Sequence, residues 1–463
     1  MRVARRAAAR VRRWARRQGG TLLRRIGALP EGMPDGLGDD ARLRQTVLPQ
    51  RVFVYYSETR TNLYQLRQWY EPLRALDRVH PVVLVLADSR VAAVVEKEAG
   101  LPHVVVARSA TLDHLVASGD VALFLYVGHH PGNFTAMRVT TAVHVYLSHG
   151  ESDKRVSVSN QIKAYDYAFV AGQGAIDRLQ DNVILFDAAA HLVPIGRPQL
   201  DYLGLEGADG TAPHGSSSAR GAGERVTVLY APTWEGGQGT VAYSSILSHG
   251  VPLVRALLAD GRFRVVYRPH PRTGISSTEY LQGSAAVVTL VEQAAAADPA
   301  VGHRVDAAPS PQAAFADADV LVADVSAMPM DWLASGRPLL ITVPQTPTAV
   351  AAATRLLRTV PRLDLPDLAD VADRVFREAV EDPSRAERLA LVDYYFGDTT
   401  PGVATRRFVE ACTTVIATRD AAVAALPDGS TPGVPRRSVS PGDEAGSAGT
   451  GGLEVVNDAE RED

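Results

Sequence analysis

Between Phe315 and Pro344 the chain reads FADADVLVADVSAMPMDWLASGRPLLITVP, and no other stretch restricts the fold as tightly. Val320 to Ala323 is an uninterrupted apolar run, the pattern of a parallel strand covered on both faces. Asp324-Val325-Ser326 ends that run and leads into a helical segment over 328–335. Gly336 stops the helix, and Leu339–Val343 supplies another apolar strand. A strand C-terminus feeding a helix N-terminus is where open α/β sheets bind phosphate, because free backbone N–H groups and the helix dipole both favour an anion. This turn is therefore expected to face an anionic ligand.

The same alternation fills most of the 463 residues. From Arg51, strands are predicted at Val52–Tyr56, Val82–Leu86, Val104–Ala107, Val121–Tyr126, His144–Leu147, Tyr167–Val170 and Leu192–Ile195. Helices are predicted between them at Leu63–Leu76, Arg90–Ala99, Leu112–Ser118 and Gly174–Leu179. Gly204 to Arg225 has almost no large apolar residue and reads as a flexible linker. A second series follows, with strands at Val226–Tyr230, Arg264–Tyr267, Val320–Ala323 and Leu339–Val343 and helices near 244–259, 278–297, 311–317 and 328–335. Further helices fit 347–358, 367–381, 384–393 and 403–425. The expected organisation is a basic segment and linker over 1–50, a first Rossmann-like domain over 51–203 and the linker over 204–225. A second Rossmann-like domain with terminal helices covers 226–426, and a disordered tail covers 427–463. Two such α/β domains facing a cleft suggest a glycosyltransferase-B-like architecture, with the site at the C-terminal strand edges.

The formal net charge of −4 conceals an asymmetry, since residues 1–30 hold ten arginines and no acidic residue. On a helical wheel Val3, Ala7, Val11 and Trp14 share one face, while Arg2, Arg5, Arg6, Arg10, Arg13 and Arg17 crowd the other. A basic amphipathic helix over residues 1–26 suits an anionic membrane surface. Nucleic acid attracts the same charge, and a solvated tail is the plainest alternative; the membrane is the partner expected here, and no nucleic acid. No apolar run reaches the ~20 residues of a membrane span. Cys412 is the only cysteine, which leaves no intrachain disulfide and no all-cysteine zinc site. It lies in an apolar helix and is expected in the core. A cytoplasmic setting fits.

Three segments of the second series place polar groups at strand ends: Pro232-Thr233-Trp234, Arg268-Pro269-His270-Pro271, and Asp324-Val325-Ser326 with Asp331 on the helix beyond. Arginine offers a fixed fork for phosphate oxygens, histidine can donate to them, and serine and threonine add hydroxyls. In the first series Tyr146-Leu147-Ser148-His149-Gly150 ends a strand and is followed by Glu151-Ser152-Asp153-Lys154. A histidine there serves equally well as a base for a substrate hydroxyl or as a structural group bonded to a loop carbonyl. His129 and His130 lie in another loop, with both a cleft-lining and a purely structural reading open. Asp317-Ala318-Asp319 matches the Asp-x-Asp of metal-dependent sugar transferases in letters only. No metal site and no cofactor is expected.

In this order and spacing the motifs resemble the CDP-glycerol glycerophosphotransferase family of teichoic-acid synthesis. Tyr230-Ala231-Pro232-Thr233, Arg268-Pro269-His270-Pro271 and Ala323-Asp324-Val325-Ser326 with Asp331 carry the resemblance. Ser148-His149-Gly150 is similar to the family's His-Gly-Thr-Pro-Leu-Lys motif, with Lys154 on its lysine. Gly196-Arg197-Pro198-Gln199-Leu200-Asp201 is similar to its Gly-x-Pro-Arg-x-Asp motif. The resemblance implies transfer of a polyol phosphate from a CDP-activated donor to a hydroxyl of a polymer or lipid-linked acceptor, without a metal, at the cytoplasmic membrane face. It implies catalytic roles for His149 and His270, donor binding by Gly150, Pro232, Thr233, Arg268, Ser326, Ala327 and Asp331, and a contact by Lys154 or Arg197. Three features depart from the family pattern: Glu-Ser-Asp follows His149-Gly150, Ala327 replaces a serine, and Gln199 replaces an arginine. Two other readings keep the fold: a UDP-sugar-dependent glycosyltransferase or UDP-N-acetylglucosamine 2-epimerase-like enzyme, and a non-catalytic, membrane-associated assembly partner.

Overall fold

The computed structural model describes residues 38–148, 150, 158–202, 224–236, 243–308, 310–343 and 354–426. The basic helix expected over 1–26, the linker core over 204–223 and the tail from 427 lie outside the described residues.

Thirteen parallel strands among the described residues form two sheets. The first contains β1 (Val52–Tyr56), β2 (Val82–Leu86), β3 (His103–Val105), β4 (Leu123–Tyr126), β5 (Val143–Tyr146), β6 (Tyr167–Val170) and β7 (Leu192–Pro194) in the order β3-β2-β1-β4-β5-β6-β7. The second contains β8 (Val226–Ala231), β9 (Phe263–Tyr267), β10 (Arg304–Val305), β11 (Val320–Asp324), β12 (Leu339–Thr342) and β13 (Arg362–Leu363) in the order β10-β9-β8-β11-β12-β13. Every residue of β1, β2, β4, β8 and β11 is buried, as continuous apolar runs demand when helices cover both faces. The architecture is glycosyltransferase-B-like. Each sheet reverses its strand order once, between β1 and β4 and between β8 and β11. Such a switch point opens a crevice at the C-terminal strand edge.

The helix expected over Leu63–Leu76 is broken into Tyr64–Arg67 and Tyr70–Asp77. Pro72 lacks an N–H and its ring crowds the preceding turn, so the helix restarts and the buried Trp69 lies at the junction. The predicted helix near 244–259 is likewise composite, a π-helical turn over Ile246–Gly250 followed by Val251–Ala259 with Pro252 in its first turn. β10 and β13 went unpredicted because two-residue edge strands leave no periodic signal.

The last helix, Val403–Ala424, crosses back to the first sheet although it follows the second in sequence. Phe408, Cys412, Val415 and Ile416 join the core that holds Trp69 and Leu73. Arg419 donates to the Thr141 carbonyl (2.7 Å) and pairs with Asp120 (2.9 Å), and Asp420 pairs with Arg51 (2.6 Å). Cys412 is fully buried, and burial pushes its thiol well above the ordinary range. The helix Arg385–Phe396 also touches the first domain: Tyr394 donates to Asp177 (2.7 Å), and Gly172 lies so close to the Tyr395 carbonyl that a Cβ would come within 2.6 Å of it. Two helices of the C-terminal region therefore fasten the two domains together.

Candidate active site

Asp324 ends β11 at the second switch point and is completely buried. Its Oδ2 accepts the backbone N–H groups of Thr233 (2.7 Å) and Ser245 (3.0 Å), and its Oδ1 meets the Thr342 hydroxyl. Burial raises its carboxyl from 3.8 to about 6, and the hydrogen bonds only partly oppose this. Asp324 is thus a link among β11, β12 and the segment after β8. Beside it Ser326 caps the helix Ala327–Leu333, its Oγ accepting the Met328 N–H at 3.3 Å.

The segments after β8 and β9 are joined through a second carboxylate. Glu235, nearly buried, accepts from Gly274 (2.9 Å), Ser276 (2.7 Å) and Ser277 (3.1 Å). Burial alone would raise its pKa, but the backbone N–H groups together hold it below the usual carboxylate range. Trp234 carries the Arg272 guanidinium 4.1 Å above its ring and lies nearly parallel to the His270 ring, at 6.4 Å. His270 Nδ1 accepts the Arg272 N–H at 3.1 Å, so the neutral ring carries its proton on Nε2. Arg268 is nine-tenths buried; it pairs with Asp306 and donates to the Ala308 carbonyl (2.9 Å). Its charge is therefore already matched within the protein.

Across the crevice, the turn after β5 bends at Ser148, a non-glycine residue with φ of 61°. Such a conformation persists only where surroundings enforce it. Here the Trp69 indole N–H donates to the Ser148 carbonyl at 2.6 Å, and Ser148 Oγ donates to the Gly150 carbonyl at 3.2 Å. A Cβ built on Gly150 would lie 3.8 Å from Ala327 Cβ, so the two domains nearly touch at this point. His149, Glu151, Asp153 and Lys154 lie outside the described residues. A pocket below the turn is lined by Trp69, His129, Tyr146, Arg178, Arg197 and Gln199, among others.

Two residues expected to contact substrate meet each other. Arg197 Nη2 pairs with Asp331 at 2.6 Å, joining the loop after β7 to the helix Ala327–Leu333. Arg197 reaches this position because Gly196 turns the chain with φ of 75° against Ala404. The two loop histidines divide. His129 stacks on Tyr146 (4.0 Å, 5°) and lines the pocket, whereas His130 Nδ1 accepts the Gly132 N–H at 3.0 Å and holds its own loop. Asp317 pairs with Arg304 (2.8 Å) and Asp319 accepts from Thr227 N (2.7 Å), near the opposite strand edge and away from the crevice. Glu235 and Asp306 were invisible in the sequence, because their partners are 38 to 42 residues away and no spacing rule connects them.

Residues 121–348 match the family described as CDP-glycerol:poly(glycerophosphate) glycerophosphotransferase. None of the curated proteins is similar to the chain in sequence. Among solved structures, the wall teichoic acid polymerase TagF with one histidine changed to asparagine and soaked with CDPG superposes with a TM-score of 0.51 and 13% identity. That match covers 89% of this chain and 98% of the other. A second TagF variant, with a histidine changed to alanine, gives 0.52 at 12% identity over the same shares. At such identities the structural likeness speaks for the fold, and the resemblance drawn from the motifs is borne out by the family match.

Proposed function

From the premise that residues 121–348 make this chain a CDP-glycerol glycerophosphotransferase-type enzyme, we propose that it transfers a glycerol-phosphate or similar polyol-phosphate unit. The donor in this reading is CDP-activated. The acceptor is a hydroxyl of a teichoic-acid-like polymer or lipid-linked primer, and CMP is released. The observation that carries the reading is the convergence of the segments ending β5, β8, β9 and β11 on one crevice, with Gly150 and Ala327 facing each other across it.

In the proposed reaction the acceptor oxygen attacks the phosphorus bearing the polyol. The bond from that phosphorus to the bridging oxygen breaks, and CMP leaves with the electron pair. His149 takes the hydroxyl proton. His270, with its proton on Nε2, donates to the diphosphate where charge accumulates. Gly150, Pro232, Thr233, Ser326 and Ala327 line the donor. Arg268 contributes its field from a fixed position beside Asp306, and the Arg197–Asp331 pair fastens the domains around the donor. Lys154 completes the acceptor side. The pocket lined by Tyr146, Arg178 and Gln199 receives the acceptor end.

The test is to incubate the protein with CDP-glycerol, CDP-ribitol and a panel of UDP-sugars plus lipid-linked acceptor, following nucleotide release. CMP release is expected. UDP release without CMP release would transfer the assignment to the sugar-nucleotide reading, and release of neither would favour a non-catalytic role.

The basic residues 1–26 would bring the enzyme to the anionic inner face of the cell membrane. Among the described residues no helix is long and apolar enough to cross a membrane. Deleting 1–26 is expected to abolish co-sedimentation with anionic liposomes; unchanged sedimentation would refute the anchor.

A further inference from the structure

The loop following His270 is held from outside itself. Within it, Thr273 N donates to the His270 carbonyl (2.9 Å) and Ile275 N to the Arg272 carbonyl (3.2 Å), while Gly274 turns with φ of 85°. The remaining N–H groups of its far half, from Gly274, Ser276 and Ser277, all donate to one side chain, Glu235. Ser276 and Ser277 directly precede the 20-residue helix Thr278–Ala297, whose positive end favours a carboxylate there. Trp234, the residue before Glu235, carries Arg272 on its ring face. The Arg272 N–H is the group that holds His270 Nδ1. A continuous set of contacts thus runs from Glu235, through the loop, to the tautomer of His270.

We infer that Glu235 is a positioning residue for His270: its carboxylate fixes the loop that sets the orientation and proton location of the imidazole. Neither the motifs nor the family match assigns it a role. The inference rests on the reading that His270 serves the donor diphosphate. Glu235 touches no reacting atom itself and acts through the backbone it binds. A carboxylate that accepts several backbone N–H groups, buried and without a cation among its described hydrogen-bond partners, is expensive to replace, because the donors left behind lose the acceptor they have among the described residues. Small displacements of a group that must meet a transition state can cost on the order of 100-fold in rate.

Full-length Glu235→Gln and Glu235→Ala proteins test this. Glutamine keeps one acceptor oxygen for Ser276 and Ser277 but places an amide against Gly274, whereas alanine removes every acceptor. Turnover of CDP-glycerol is expected to fall roughly 100-fold in the alanine variant and about tenfold in the glutamine variant, mainly in kcat. The ¹⁵N shifts of the His270 ring, assigned with a His270→Gln control, are expected to change from a single Nε2–H form to a tautomer mixture in the alanine variant. Glutamine should restore most of the native shifts. Native ring shifts in Glu235→Ala, or turnover within twofold of wild type, would overturn the inference. If the wild type releases no CMP, the functional reading fails, while the ring shifts still decide whether Glu235 governs His270.

Discussion

On the edge of the second sheet, two buried carboxylates tie the strand-end segments to one another through backbone N–H groups. On the facing edge of the first sheet, among the described residues, the turn at Ser148 is held by the Trp69 indole and by its own hydroxyl's bond to Gly150, and it adjoins an aromatic stack. The contrast has a physical meaning. A donor diphosphate presents the same charge every cycle, and a rigid wall meets it with no reorganisation. In the proposed reading the acceptor meets the other wall, beside Ser148 and the stacked His129–Tyr146 pair.

The largest effects should come from removing the two proposed catalytic histidines. His149→Ala and His270→Ala are each expected to lower turnover by roughly 100-fold or more. Activity that survives both changes would mean that the crevice is not the active site.

Next comes the link at Asp324, where size and charge can be separated. Thr342 can donate to the Ala323 carbonyl (3.2 Å) and accept from a protonated Asp324 Oδ1. Asparagine reproduces that arrangement with its amide, while alanine strands two buried N–H groups. Asp324→Ala should therefore destabilise by about 2–4 kcal/mol and lower donor turnover about tenfold, whereas Asp324→Asn should retain both stability and turnover. The pH dependence has a definite sign. Because folding raises this carboxyl from 3.8 to about 6, its contribution to stability is fully present below 3.8 and is lost as pH rises through 6. Relative to wild type, the Tm of Asp324→Asn should thus improve between pH 4 and pH 7.5. A Tm difference that is flat across this range would rule out the raised value.

The smallest effect sharpens the other side of the comparison. Trp69→Phe keeps the ring packed near Phe408 (5.3 Å between centroids for the native pair) but removes the bond to Ser148. A loss of about 1 kcal/mol in stability is expected, with a several-fold rise in KM for acceptor and little change in KM for donor. An equal rise for both substrates would show that the two edges are not functionally separate.

The strands and their order of appearance were legible because parallel strands buried on both faces write themselves as apolar runs; Val52–Tyr56, Val82–Leu86 and Tyr167–Val170 were bounded to the residue. Helix interruptions at Pro72 and Pro252 were readable, since both prolines lie inside the predicted helices, where a proline breaks or kinks the helix, but the predicted ranges ran through them. The return of Val403–Ala424 to the first sheet was hidden, because an amphipathic pattern says which face is buried and not against what. At the site, the residue types at the strand ends could be read, but their present partners could not. Arg197 and Asp331, 134 positions apart, meet each other, and Arg268 meets Asp306; only the fold brings such charges together.

The central claim is transfer of an intact polyol phosphate between the two edges, and ³¹P NMR of a single reaction tests it most directly. With CDP-glycerol and a lipid-linked acceptor, the account predicts a new phosphodiester signal on the acceptor that grows one-for-one with CMP and is absent with His149→Ala. CMP appearing with free glycerol phosphate and no acceptor phosphodiester, or no loss of the donor diphosphate signals at all, would contradict it.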